Sequence, residues 1–154
     1  MRLTIAAVGR LRGGPLAEAF ADYAGRLKSG RWTLDMVEVE ERRRLSGPEL
    51  VAREGELLLA AIPRGAVLVA MDPRGVALTS EDLAARLGRM RDEGSPVAFA
   101  IGGADGLDPS VLRAARLRLS LGAMTWPHML ARVMLAEQLF RAQSILSGHP
   151  YHRG

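Results

Sequence analysis

Apolar positions along the chain fall into short blocks that alternate between two periods. Leu3–Val8 is a compact apolar run closed by Gly9 and predicts a β-strand. Over Pro15–Leu27 the apolar residues recur at Leu16, Ala19, Phe20 and Tyr23, the spacing of one helical face. Trp32–Val39 then alternates, with Trp32, Leu34 and Met36 on one side, as a half-buried strand does. Ser46-Gly47-Pro48-Glu49 opens a second helix that reaches about Ala61, and Pro63-Arg64-Gly65 stops it. Val67–Met71 is apolar throughout, the pattern of a strand covered on both faces. Thr79-Ser80-Glu81-Asp82 starts a third helix that closes near Gly94. Val97–Ile101 is a fourth strand ended by Gly102-Gly103, and Asp108-Pro109 caps a short helix with proline at its first position. Leu117–Leu121 is a fifth strand, and Pro127 leads a final helix to about Ser147. Strands alternating with helices predict an α/β fold with a mainly parallel sheet flanked by helices, in one domain over residues 1–154.

Composition narrows the classes. Apolar residues at 48% and charged residues at 25% are ordinary for a soluble globular chain, and 154 residues suffice for one core. No apolar run approaches the roughly 20 residues of a bilayer span. Leu3–Val8 is too short for a secretory leader and runs into Gly9-Arg10-Leu11-Arg12, so a cytoplasmic location is expected. Zero cysteines remove disulfides, thiolate zinc ligands and a thiol nucleophile. The net charge is +4, and Lys28 is the single lysine among 21 basic residues. Arginine suits bidentate phosphate contacts and stacking on bases, although a GC-rich genome produces the same excess. Arg42-Arg43-Arg44, after the acidic Glu38–Glu41 stretch, is expected to be an exposed loop, with RNA contact as the alternative.

Candidate chemistry concentrates after the strands and at the end of the chain. Three glycine-containing loops leave successive strands at their carboxyl ends: Met71–Gly75, Ile101–Gly106 and Leu121–Pro127. Ligands of open α/β sheets lie beyond that edge, and glycine lets backbone approach a ligand closely; each loop taken alone also fits a tight βα turn. Gly102–Gly106 lacks the dinucleotide-binding spacing and follows the fourth strand, while Lys28 lies in no glycine loop, so no P-loop exists. His128, His149 and His152 form no i,i+4 pair and the tail has no carboxylate, so no metal site is expected. The tail His149-Pro150-Tyr151-His152-Arg153 holds groups that stack on bases, grip phosphates or move protons.

The blocks LTIAAVG (Leu3–Gly9), VAMDPRG (Val69–Gly75), FAIGGADGL (Phe99–Leu107), LGAMTWPH (Leu121–His128), ARVMLAEQLFRAQSI (Ala131–Ile145) and the terminal HPYHR together resemble the RlmH family over essentially the full length. These are small bacterial methyltransferases of the SPOUT superfamily that act on 23S ribosomal RNA. The resemblance implies a C-terminal trefoil knot, a homodimer, S-adenosylmethionine as cofactor, and methylation of N3 of a pseudouridine in the assembled ribosome. It places cofactor contacts at Met71, at Gly102, and along Leu121, Gly122, Ala123, Met124, Thr125 and Trp126. Met71 and Trp126 stand where relatives often carry leucine, and Gly122 where some carry serine, which alters pocket shape more than chemistry.

Within that reading the tail supplies the catalytic groups: His152 as base, Tyr151 against the target base, and Arg153 on phosphate or the developing imide anion. Docking of the tail onto the body is the structural alternative. Arg132, one turn into the final helix, is expected to face RNA, with a surface ion pair as the alternative. Glu137 and Arg141 have the i,i+4 order of an intrahelical pair. Apolar residues on more than one face of that helix suggest a subunit interface, with the tail of one subunit able to complete the site of the other. A non-catalytic ribosome-binding or assembly protein, or methylation of another RNA position, is the competing reading.

Overall fold

The computed structural model covers Met1–Gly154. Its strands are β1 (Arg2–Val8), β2 (Thr33–Val39), β3 (Val67–Ala77), β4 (Val97–Ile101) and β5 (Leu117–Ser120). Its helices are α1 (Pro15–Ser29), α2 (Gly47–Ala61), α3 (Ser80–Asp92), α4 (Pro109–Ala114) and α5 (His128–Ser147). All strand pairs are parallel and the order across the single sheet is β2-β1-β4-β3-β5. This is the α/β class that the periodicity predicts.

Strand alternation sorts large side chains from small ones. Leu3, Ile5, Val97, Phe99, Ile101 and Val69 project into the main core, roofed by α5 with α1 and α3 on its flanks. Ala6 and Ala100 point the other way, where α2 and α4 pack closely over two small clusters. A fully buried Leu, Ile or Phe stabilises by roughly 1.5–3 kcal/mol and an alanine by much less, so the α1–α5–α3 side carries most of the hydrophobic free energy.

One expectation changes. β3 does not end at Met71: it bulges over Asp72–Gly75 and pairs again with β5 through Val76–Leu119 and Ala77–Ser120. Pro73 is tolerated because it lies in the bulge, where no ladder donor is needed. On α5, Leu130, Met134, Ile145 and Leu146 are half-buried, and α1 and α3 of the same chain cover the rest of its apolar surface. Val133, Leu135, Ala136, Leu139, Phe140 and Ala142 are all buried there. No helix is long and apolar enough to cross a membrane.

The arginine run leaves β2 in an exposed loop anchored by Glu41. Arg43 Nε donates to Glu41 Oε1 at 3.0 Å and Arg53 Nε to Oε2 at 2.8 Å. These bonds, led by the Arg43 side chain, hold the carboxyl at about 2 instead of 4.5. A depressed acid stabilises the fold above its unfolded pKa and loses that contribution as pH falls through the folded one. Glu41→Gln should therefore flatten the decline in melting temperature between pH 5 and pH 2 while leaving its steepness elsewhere intact. An unchanged acid limb would mean that these ion pairs contribute nothing.

Candidate active site

The carboxyl edge of the sheet gathers all three glycine loops into one cavity of about 190 Å³. Met71, Asp72 and Pro73 come from the β3 bulge, Gly102–Ala104 and Gly106 from the loop after β4, and the third wall runs from Leu121 to Trp126. Ala123 is the single expected cofactor residue that does not line it. Gly102 is wedged against the turn of its own loop: an added Cβ would lie 2.6 Å from Gly106 O. Gly122, at φ +113°, faces open space, and a Cβ there would meet nothing within 4 Å. Ser120 Oγ accepts from Gly122 N at 3.1 Å, and the Trp126 indole donates to Leu121 O at 3.3 Å, so the third loop is closed on itself.

The cavity suits a neutral aromatic heterocycle with a sugar. Its walls are glycine-rich backbone and apolar side chains including Met71, Leu121 and Trp126, with Asp72, Thr125 and His128 as the polar side chains among them. Asp72 is buried in the wall and accepts from Arg74 N at 3.0 Å. His128, considered from sequence only as a metal ligand, also lines it. Its position directly after the third loop is the signal that could have marked it. Glu54 on α2 flanks the glycine loop, where burial and then the Asp105 charge raise its pKa.

The tail lies elsewhere. It docks on α5 and α3, beside a second cavity of about 550 Å³ that shares Leu119, Leu121 and Gly122 with the first. Tyr151 packs on Phe140 with ring centroids 4.6 Å apart and donates its hydroxyl to Glu137 Oε1 at 3.1 Å. Burial first, then hydrogen bonding with Tyr23 and Glu137, pushes the Tyr151 phenol well above its usual range, so it stays a donor at neutral pH. Glu137 also takes Arg141 Nε at 3.0 Å, the expected i,i+4 pair.

His152 bridges the two helices, with Nδ1 3.2 Å from Arg141 and Nε2 2.9 Å from Glu81 Oε1. A guanidinium only donates, so Nδ1 accepts and the ring proton sits on Nε2, directed at Glu81. Both nitrogens are engaged in this arrangement. Arg153 is exposed and forms no ion pair. Within one chain, therefore, the three glycine loops converge on one cavity, while Tyr151 and His152 line neither cavity and Tyr151 reaches the second only through Glu137 in its wall.

Arg132 does not face outward: it is 0% exposed. Its guanidinium donates to Val8 O at 2.7 Å, Gly9 O at 2.9 Å and Glu38 Oε2 at 2.7 Å. Glu38 also accepts from Leu11 N. Burial lowers the Arg132 pKa and the Glu38 contact opposes that. The side chain points inward because the carbonyl ends of β1 offer acceptors that no local pattern on α5 reveals.

Comparison with known proteins places this architecture. The family model described as "Predicted SPOUT methyltransferase" matches residues 1–152. The chain is 58% identical over 154 residues to "Ribosomal RNA large subunit methyltransferase H" of Rhodospirillum centenum, covering 99% of both proteins. It is 56% identical to the protein of the same name from Rhodospirillum rubrum, again over 99% of each. Among solved structures, a probable methylase family protein from Haemophilus influenzae Rd KW20 aligns with a TM-score of 0.53 at 10% identity. That alignment covers 99% of this chain and 70% of the other, a likeness of fold. With five parallel strands, three loops converging at their carboxyl edge and a family match from end to end, the chain belongs to the SPOUT methyltransferase family.

Proposed function

We propose that this chain is an S-adenosylmethionine-dependent methyltransferase that modifies N3 of a pseudouridine in 23S rRNA of the assembled ribosome, as a cytoplasmic homodimer. The observation that carries the reading is the single cavity built by the β3 bulge, the Gly102 loop and residues 121–126. Full-length relatives named as large-subunit rRNA methyltransferases support the substrate class. The family resemblance adds a trefoil knot through the loops of the C-terminal half.

When bound, S-adenosylmethionine supplies a methyl already made electrophilic by its sulfonium. The chain's task is then orientation and proton removal. Backbone groups around Gly102 and along Leu121–Trp126 hold the adenine and ribose, with Met71 and the Trp126 ring as apolar walls. The imide N3 must lose its proton before it can attack, and a positioned base contributes about 10²–10⁴ in rate.

His152 is the base of this proposal and Tyr151 a hydrogen-bond donor to the target. His152 must first leave Arg141, because the one lone pair of the docked ring, on Nδ1, accepts from that guanidinium. A homodimer provides the route, with the tail of one subunit completing the cavity of the other and Arg153 free to meet phosphate. His152→Ala should lower methyl transfer at least about 100-fold with cofactor affinity retained. Unchanged turnover removes His152 from the mechanism, and an equal loss in His128→Ala alone would transfer the role to the cavity histidine.

The direct test is transfer of labelled methyl to ribosomes lacking the modification, compared with free 23S rRNA, followed by identification of the labelled nucleoside. Label on N3 of pseudouridine, with ribosomes only, is the expected result. Cofactor binding without label would reject the acceptor. Absence of both would favour a ribosome-binding protein that performs no chemistry.

A further inference from the structure

The parallel register of β1 and β2 brings two arginine-bearing loops out side by side. Val8 pairs with Val39, and Gly9 N donates to Val39 O at 2.9 Å as the strands end. From there the β1–α1 loop carries Arg10 and Arg12, and the β2–α2 loop carries Arg42, Arg43 and Arg44. The neighbouring acids are largely committed. Glu38 is taken by Arg132 and Leu11 N, Glu40 by Arg10 at 3.4 Å, and Glu41 by Arg43 and Arg53. Arg12, Arg42 and Arg44 are exposed and make no ion pair, and the remaining acids of these segments, Glu18 and Glu49, sit in the first turns of α1 and α2.

The end of β1, from which the Arg12 loop leaves, packs beside the cavity of the three glycine loops. A Cβ at Gly9 would lie 3.2 Å from Met129 Cε and 3.9 Å from His128 Nε2, and His128 lines the cavity. Gly103, in the cavity's second wall, approaches Val8 at 3.3 Å by the same measure. Arg132 locks the start of α5 to Val8, Gly9 and Glu38, so the loops and the cavity wall share one rigid anchor. Guanidinium groups present planar donor pairs that match phosphate oxygens. A strand whose nucleotide enters the cavity on the His128 side would run along this arginine edge.

Resting on the methyltransferase reading above, we propose that Arg12, Arg42 and Arg44 form a phosphate-binding track for the ribosomal RNA strand that delivers the target nucleotide. The three side chains grip backbone rather than bases, so they set affinity and register and carry no sequence choice.

The test is the triple variant Arg12→Ala/Arg42→Ala/Arg44→Ala beside the triple lysine variant. KM is measured for ribosomes lacking the modification, affinity for protein-free 23S rRNA, and affinity for S-adenosylmethionine by calorimetry. The alanine variant should raise KM and weaken rRNA binding at least tenfold with cofactor affinity unchanged. Its dependence of log affinity on log salt should become shallower by about 2, because each phosphate that an arginine neutralises adds about 0.7 to the slope. The lysine variant should recover most of the salt dependence. Unchanged KM and salt slope overturn the track while leaving the methyltransferase reading intact. A raised KM with unaltered rRNA binding assigns the surface to a ribosomal protein and equally overturns it. A wild-type protein that neither binds rRNA nor methylates ribosomes overturns both readings.

Discussion

Arg132→Met should lower stability by about 3–5 kcal/mol, the cost of leaving the Val8 and Gly9 carbonyls without their donor and of removing the cation that pairs with the partly exposed Glu38. The substitution keeps the volume but strips three acceptors at once: the Glu38 carboxylate and the carbonyls of Val8 and Gly9. For a chain of this size each kcal/mol moves the midpoint by about 2–4 °C, so a melt should fall by roughly 10 °C. Glu38→Gln alone should cost less, because the amide still accepts from Arg132 and Leu11 N. In the double variant the uncompensated carboxylate disappears, and part of the loss should return. If the Arg132→Met midpoint moves by less than the scatter of the melt, the side chain is not the tie that the geometry indicates.

Gly102→Ala should abolish measurable S-adenosylmethionine binding while leaving a folded protein. The added Cβ would stand 2.6 Å from Gly106 O and 2.7 Å from Gly106 C, backbone atoms of the same loop that cannot swing aside as a side-chain tip does. Relieving that overlap opens the loop that forms the cavity's second wall, with an overpacking cost of about 1–3 kcal/mol. Calorimetric titration with cofactor, paired with a thermal melt, separates the two effects. Retained affinity in Gly102→Ala would show that this wall takes no part in binding. Gly122→Val probes the third wall differently, since its side chain enters open cavity space and adds backbone strain at φ +113°.

Legibility of the chain followed how local each determinant is. β4 is legible to the residue because Pro96 and Gly102 bracket an unbroken apolar run. β3 is not, because Pro73 and Gly75 look terminal and only the distant Leu119–Ser120 segment restores pairing beyond them. The cavity loops were findable since each strand end announces itself by glycine. Arg132 was not, because its carbonyl partners lie more than a hundred residues upstream and a lone arginine on a helix ordinarily meets water. The tail shows the same limit. Its residue types point to chemistry, but Glu81, 71 residues earlier in sequence, is invisible as the partner of His152.

The helix that roofs the main core is translated after every strand beneath it. Until His128–Ser147 is made, Leu3, Ile5, Phe99 and Ile101 have no cover from α5, although all the pairings of the sheet are already possible. Until then that face of the sheet has only α1 and α3 available to cover it. At synthesis rates of about 5–20 residues per second that interval lasts on the order of a second for the helix alone, long enough for chaperones or aggregation to compete. Slow codons within the final helix would lengthen this exposure, so soluble yield in cells should depend more on elongation through α5 than through α1.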